Sequence, residues 1–301
     1  MQILIVGGTG FVGGHLVKRF LDSGHGVTVT GTRPESRLAS DRRFQYLQAD
    51  TAQPGPWQQA VGRADVIINL AGRTIFRRWS VPYKQAIYDS RILTTRNIVA
   101  ALPEPSTAAL VSTSAVGYYG NGGDALLTED AAPGDDFLGV LAREWEAAAL
   151  AAAAKGVRVA IARFGIVLGE GGGALAAMLP AFRLGLGGPL GNGRQWFPWI
   201  HLGDLAGAIE WLALRDDLQG SFNLCAPNPA TNKELAQTLG RVLGRPAFVP
   251  APALVLKLLL GEMAGVLLSG QRAVPAKLLA AGFEFRYPRL EKALTALLHK
   301  D

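Results

Sequence analysis

The residues whose types and spacing best suit chemistry stand at the front of the chain, Gly7-Gly8-Thr9-Gly10-Phe11-Val12-Gly13. Their chemistry would be the grip of a dinucleotide pyrophosphate. Gly7 allows a tight turn, Gly10 has no side chain to keep a pyrophosphate off the backbone, and Gly13 lets a following helix pack close to a sheet. The amides that open such a helix carry positive partial charge toward the phosphates. An acidic residue about twenty positions further on would accept hydrogen bonds from an adenosine ribose. Here Gly31-Thr32-Arg33 stands at that place, with no Asp or Glu. A guanidinium suits a 2′-phosphate because it forms paired, charge-assisted hydrogen bonds. The pattern points to NADP(H) over NAD(H), with Arg37 as a second cation. The alternative is a glycine-rich turn beside an unrelated surface arginine.

A glycine fingerprint carries weight only between a strand and a helix. Ile3 to Val6 reads as a buried parallel strand. Val12, Leu16, Phe20 and Leu21 share one helical face, closed by Gly24, and Val27 to Thr30 reads as the next strand. Further strands are expected at Phe44–Leu47, Ala64–Leu70, Leu110–Ser114, Val157–Ile161 and Phe222–Cys225. Helices are expected from Pro82 to about Ala101, from Phe137 to Lys155 (alanine-rich and ended by Gly156), over 205–215, and after the capping box Thr231-Asn232-Lys233-Glu234. This alternation predicts an α/β fold, a Rossmann doubly wound parallel sheet with a small C-terminal α-rich domain. Residues 1–170 would form the NADP-binding domain, rejoined by about 200–226. Residues 171–199 and 227–301 would form the smaller domain, for substrate or a partner.

Three other stretches could serve the site. Asn69-Leu70-Ala71-Gly72 closes a strand, and ligands of open parallel sheets sit beyond the carboxyl ends of strands. Ala71 and Gly72 either let the cofactor lie against their backbone or form a plain strand-to-loop turn. Arg73, Arg77 and Arg78 either hold a phosphate or carboxylate or belong to a solvated loop. Arg91, mid-helix, either turns inward to a cofactor phosphate or stays on the surface. The aromatic run Trp196-Phe197-Pro198-Trp199 either lines a substrate pocket or forms the core of the smaller domain.

Composition removes several classes. The hydrophobic fraction is 49% and the charged fraction 18%, ample for a core. The net charge is +6 and the pI about 9.6, but the arginines are scattered, so no nucleic-acid stripe forms and an anionic cofactor explains the excess. Cys225 is the sole cysteine and His15, His25, His201 and His299 lack ligand spacing, so neither a disulfide nor a metal site is expected. The chain opens on a strand without a basic leader. Its most apolar run, Leu254 to Leu260, is broken by Lys257 and stopped by Gly261. A cytoplasmic protein with no membrane partner is expected.

The glycine turn, Asn69-Leu70-Ala71-Gly72, the serine strand ending in Tyr119-Gly120, and Ile200-His201-Leu202-Gly203-Asp204 together resemble the extended short-chain dehydrogenase/reductase superfamily, near the sugar-nucleotide epimerases. Ser114-Ala115-Val116-Gly117-Tyr118-Tyr119-Gly120, Arg163-Phe164-Gly165-Ile166-Val167-Leu168-Gly169, Phe182 to Pro189, and Phe197-Pro198-Trp199-Ile200-His201 are similar to an atypical branch labelled epimerase-family or cell-division-inhibitor-like. The resemblance spans essentially the full chain and implies a seven-stranded Rossmann domain. It implies NADP(H) contacts at Gly7, Gly10, Phe11, Val12, Thr32, Arg33, Leu70, Ala71, Arg91, Phe164, Gly165 and Ile166. Thr9, Gly13, Gly72 and Ser112 complete the candidate cofactor set.

One departure bears on chemistry. Active members of the superfamily pair a serine or threonine with Tyr-x-x-x-Lys, whose tyrosinate moves the hydroxyl proton. Four residues after Tyr46, Tyr83, Tyr88, Tyr118, Tyr119 and Tyr287 stand Asp50, Ile87, Ile92, Gly122, Gly123 and Glu291, so the pair is absent. Matching Trp145-Glu146 to the usual helix end puts Leu138 and Ala142 in its place. The first expectation is an oxidoreductase or epimerase of an unknown small carbonyl, hydroxyl or sugar-like substrate. Ser114 would polarise a carbonyl and Tyr118 or Tyr119 supply the proton, with His201 behind them. The second is a non-catalytic NADP(H)-sensing regulator acting through a protein partner.

Overall fold

The chain forms seven parallel strands with helices on both faces, in a computed structural model that describes residues 1–35 and 38–299. Arg37 lies outside the described residues. The strands of the main sheet are β1 (Gln2–Val6), β2 (Gly26–Gly31), β3 (Phe44–Gln48), β4 (Val66–Asn69) and β5 (Ala109–Ala115). After the short β6 (Leu126–Leu127) comes β7 (Arg158–Phe164), and after β8 (Ile166–Gly169), β9 (Trp196–Phe197) and β10 (Trp199–His201) comes β11 (Gly220–Leu224). The sheet order is β11-β7-β5-β4-β1-β2-β3. The order reverses between β1 and β4, where Val6 pairs with Asn69. That is the switch point at which a doubly wound sheet opens a crevice for a ligand.

The central strands are buried on both faces, and successive side chains enter opposite cores. Ile3 and Ile5 face α1 (Phe11–Asp22), meeting Leu16, Val17 and Phe20, and share that core with Leu205, Ile209 and Leu212. Leu4 and Val6 face the other way, toward Ile98 of α2 (Val81–Ala101) and Ala149 of α3 (Phe137–Leu150). The alanine-rich helix is shorter than expected. It tightens into a 3-10 turn over Ala151–Lys155, as helix C-termini often do, before Gly156 ends it at φ +83°.

The second lobe has its own core of Phe182, Trp199, Leu235, Leu239, Leu290 and Leu294. It is built on α4 (Gly173–Arg183), on α6 (Asn232–Leu243) and on α10 (Leu290–Leu298), with α5 (Leu202–Leu214) returning to the main sheet. The expected capping box opens α6: the Thr231 amide donates to Glu234 Oε2 at 2.6 Å, and the Glu234 amide to Thr231 Oγ1 at 3.2 Å. The remaining elements are β12 (Ala230–Thr231), β13 (Arg272–Ala273), α7 (Ala253–Leu260), α8 (Ala264–Leu268) and α9 (Ala276–Ala280). The tail does not stay within its lobe. Leu278 of α9 is fully buried in the core of the main sheet, with Phe283 and Phe285 against it.

Candidate functional site

The glycine turn sits on the switch point. Gly7 has φ +75° and its amide donates to Thr30 Oγ1 at 3.1 Å. A Cβ there would lie 2.8 Å from Ala71 Cα, so only glycine lets the turn rest on the end of β4. Gly13 makes a different contact from the expected one. A side chain on it would overlap the Gly8 carbonyl, so the close approach is between α1 and the turn, not the sheet. Gly10 opens α1 with no side-chain cap and no acid in the first turn, and the nearest atom to a Cβ there is 3.7 Å away. The uncapped amides suit a pyrophosphate. Thr9 packs against Gly31 at the tip of β2, Val12 against the main core, and the Phe11 ring sits over Gly169, Gly172 and Gly173.

At that tip Thr32 and Arg33 are exposed. The next strand holds their backbone: Tyr46 Oη donates to the Arg33 carbonyl at 2.6 Å and Gln48 Nε2 to that of Thr32 at 3.4 Å. Among the described residues Arg33 forms no ion pair.

A buried polar cluster shapes the loop opposite. Asn69 Nδ2 donates to Thr95 Oγ1 at 2.9 Å and to Ser112 Oγ at 3.4 Å, and Asn69 Oδ1 accepts the Ala71 amide at 3.2 Å. Thr95 Oγ1 donates to the Arg91 carbonyl at 2.7 Å and accepts Trp145 Nε1 at 2.9 Å. Arg91 turns inward. Its Nη1 donates to the carbonyls of Arg73 and Ile87 at 3.0 and 3.1 Å, and its guanidinium stands 5.1 Å over the Trp145 ring. A Cβ on Gly72 would lie 3.0 Å from it. No carboxylate compensates this charge among the described residues, and burial lowers its pKa to about 10. The neighbouring arginines do not converge: Arg73 lies by the Tyr83 ring and Arg78 beside Gly261.

The catalytic candidates divide. Ser114 is buried and its Oγ donates to Glu146 Oε1 at 2.7 Å. Glu146 also takes two bonds from Arg163, from Nε and Nη2, each 2.8 Å. Arg163 Nη1 reaches Tyr119 Oη at 2.9 Å and the Glu129 carbonyl at 3.1 Å. Tyr119 Oη donates to Asn223 Oδ1 at 2.7 Å, and Glu129 Oε1 accepts the Asn223 amide at 3.0 Å. Burial pushes the Tyr119 phenol up to about 12. Tyr118 differs: it is half-buried, its ring lies 3.6 Å from the Arg163 guanidinium, and its hydroxyl has no hydrogen bond among the described residues. Glu146, Arg163, Glu129 and Asn223 were not foreseen as one network. Its signal was a single acid on the apolar face of α3, beside Trp145 and Ala149, which buries only with a partner.

The other candidates are placed as follows. Leu138, where the tyrosine of the missing pair would stand, packs on Gly117, and Ala142 is buried. Phe164, Gly165 and Ile166 join β7 to β8; the Gly165 amide donates to the Leu224 carbonyl at 2.9 Å and that of Ile166 to Pro198 at 2.6 Å. Phe197 and Trp199 belong to the core of the second lobe, and Trp196, at its edge, donates to Asp124 Oδ1 at 2.9 Å. His201 caps α5, its Nδ1 accepting the Gly203 amide at 2.9 Å, and stacks on Tyr287. Burial first, and the Arg286 charge second, lower its pKa to about 4. Cys225 is buried.

Comparison with known proteins gives this geometry its relatives. Residues 3–225 match the NAD dependent epimerase/dehydratase family, and residues 251–297 a domain of unknown function, DUF1731. The chain is 40% identical over 305 residues to an Arabidopsis thaliana protein, "Epimerase family protein SDR39U1 homolog, chloroplastic", covering 99% of this chain and 87% of the relative. It is 39% identical over 307 residues to human "Epimerase family protein SDR39U1", covering 99% and 100%. The crystal structure of human SDR39U1 (isoform 2) with NADPH superposes with a TM-score of 0.86 at 36% identity, covering 99% of both chains. A Bacillus cereus UDP-glucuronic acid 4-epimerase shares the fold, with a TM-score of 0.79 at 19% identity over 99% of this chain and 98% of that one. No described helix is long and apolar enough to cross a membrane.

Proposed function

The chain belongs to the NAD dependent epimerase/dehydratase family, and from that premise we propose that it is an NADP(H)-dependent oxidoreductase or epimerase of a small carbonyl, hydroxyl or sugar-like substrate. The observation that carries this reading is the glycine turn seated on Ala71 below an uncapped α1, flanked by Arg33 and Arg91, two cations without carboxylate partners among the described residues. The NADPH named with the human relative supports the same cofactor. The amides of Gly10, Phe11 and Val12 hold the pyrophosphate, with Gly7, Thr9 and Gly13 giving the turn its shape. Thr32 and Arg33 hold the 2′-phosphate. Leu70, Ala71, Gly72, Arg91 and Ser112 form one wall, and Phe164, Gly165 and Ile166 the other.

Bound NADPH supplies the hydride, which the carbonyl carbon of the substrate accepts. Tyr118 donates its hydroxyl proton to the carbonyl oxygen, the one phenol at the end of β5 whose hydroxyl is not already committed. Ser114 and Tyr119 act as positioning residues, holding Arg163 beneath the Tyr118 ring. This changes the roles expected for both, because buried hydrogen bonds hold their hydroxyls within the network. The relatives lend no support to a non-catalytic regulator.

Deuteride transfer tests the reading. The protein is mixed with 4-deuterated NADPH, each stereoisomer separately, and a small-molecule extract, and metabolites are examined by mass spectrometry. Label should enter a metabolite with the unaltered chain and fall at least about a hundredfold with Tyr118→Phe, in the range general acid catalysis contributes. Equal labelling by the variant would remove Tyr118 from the chemistry. Absence of label despite NADPH binding would sink the net-reductase reading.

A further inference from the structure

We infer that α7 and the two loops beside it form a docking face for an anionic lipid surface. The helix is Ala253-Leu254-Val255-Leu256-Lys257-Leu258-Leu259-Leu260, and none of its residues is buried. Leu254, Val255, Leu258 and Leu259 are exposed, Leu254 and Leu258 at 69% each. Positions 254, 255, 258 and 259 share one side of a helix, whereas Ala253, Leu256 and Leu260 on the other side are half-buried. The helix therefore presents its apolar side outward, the reverse of an ordinary surface helix.

The face extends beyond the helix. Phe248 is 77% exposed and Leu184 75%, with Leu186 and Val249 also exposed. The loops carrying them are bonded together: the Val249 amide donates to the Gly187 carbonyl at 3.3 Å, that of Ala251 to Pro189 at 2.9 Å, and that of Gly191 to Ala251 at 2.8 Å. Eight large apolar side chains are thus exposed on neighbouring segments, where an ordinary surface scatters such residues singly.

Charge selects the occupant. Segments 180–194 and 241–260 contain Arg183, Arg194, Arg241, Arg245 and Lys257 and no Asp or Glu. Among the described residues Arg183, Arg245 and Lys257 pair with no carboxylate, and the next acid along, Glu262, is held by Lys84 at 2.6 Å. Two copies meeting face to face would bring these cations against their own like. An anionic bilayer takes both features at once, the leucines and phenylalanine entering the acyl boundary and the cations meeting the headgroups. Such docking is peripheral, so it is compatible with helices too short to span, and it revises the expectation of no membrane partner. Lys84 and Arg78 meet Glu262 and Gly261 just past α7, so the face borders the loop that leaves Gly72.

Flotation of the full chain with vesicles tests this. Vesicles of phosphatidylcholine containing about a third phosphatidylglycerol should carry the protein upward, and phosphatidylcholine alone should bind at least about tenfold more weakly. Leu254→Glu with Leu258→Glu should lower binding to the anionic vesicles at least about tenfold, and Lys257→Glu should weaken that binding but not any residual binding to neutral ones. All variants should keep the NADPH affinity of the unaltered chain, which certifies their fold. No flotation with either vesicle, or flotation unchanged by the double leucine variant, overturns the inference. So does a dimer in analytical ultracentrifugation that the leucine variant dissociates while vesicles capture nothing, since a second copy would then cover the face.

Discussion

Arg33 is the single side chain on which the proposed preference for NADP(H) rests. It stands exposed at the tip of β2 with its carbonyl held by Tyr46, so backbone position is set while the guanidinium is uncommitted. A two-point bond to a phosphate is worth roughly 1.5–3 kcal/mol, about ten- to a hundredfold in affinity. Arg33→Ala should therefore weaken NADPH binding about ten- to a hundredfold and NADH binding less than about twofold, as read by calorimetric titration. Loss of both to the same extent would remove the 2′-phosphate assignment. Arg163 is the opposite case. Its donors are spent on Glu146, Tyr119 and Glu129, and a buried pair of this kind positions neighbours more than it stabilises the fold.

At the scale of the element, α1 separates two glycines that look alike in the sequence. Gly10 has φ −79° and a Cβ there would meet only the Gly7 carbonyl oxygen at 3.7 Å, an ordinary contact, so alanine fits the fold there. On Gly13 the same methyl would overlap the Gly8 carbonyl, and α1 would have to leave its turn. Gly10→Ala should leave the thermal midpoint within a few degrees yet weaken NADPH binding at least about tenfold, because the methyl would stand where the proposed pyrophosphate site brings its ligand against the backbone. Gly13→Ala should lower the midpoint by about 5 °C or more, a cost of about 3 kcal/mol or more, at the top of the overpacking range because the methyl meets backbone and not a side chain that can move. Differential scanning fluorimetry with and without NADPH distinguishes them. Equal midpoints for the two variants would contradict the geometry.

Across the whole molecule, the lobes meet at the start of α5. His201 stacks on Tyr287, and Asp204 accepts the amides of Arg286 and Tyr287, each at 2.9 Å. This junction should make stability depend on pH. His201 is depressed to about 4, mainly by burial, from about 6.5 when unfolded. Between those values the unfolded chain binds the extra proton, so its contribution is complete above pH 6.5 and is lost as pH falls toward 4, by at most about 3 kcal/mol. Asp204 works in the other direction, since burial raises its pKa. His201→Asn keeps an oxygen for the Gly203 amide but does not titrate. Denaturant unfolding of the variant should vary less over pH 6.5 to 4 than that of the unaltered chain, and an identical slope would clear His201.

The periodicity of the sequence was enough to determine the seven strands, the glycine turn and the capping box at Thr231, because each depends on residues a few positions apart. The proposal that Arg33 holds a 2′-phosphate rests on the same kind of information, residue type and distance past Gly13. What Arg91 faces, which hydroxyl is free among Ser114, Tyr118 and Tyr119, and where α9 is buried were decided by the tertiary structure. Those outcomes rest on partners far apart in the chain, Arg163 with Glu129 and Tyr119, Asn223 with Tyr119, and Leu278 with the main core. A buried polar group is defined by the acceptors that folding brings to it. The sequence spells Tyr118 and Tyr119 as neighbours of one kind, and only packing gives one a satisfied, buried hydroxyl and leaves the other's uncommitted.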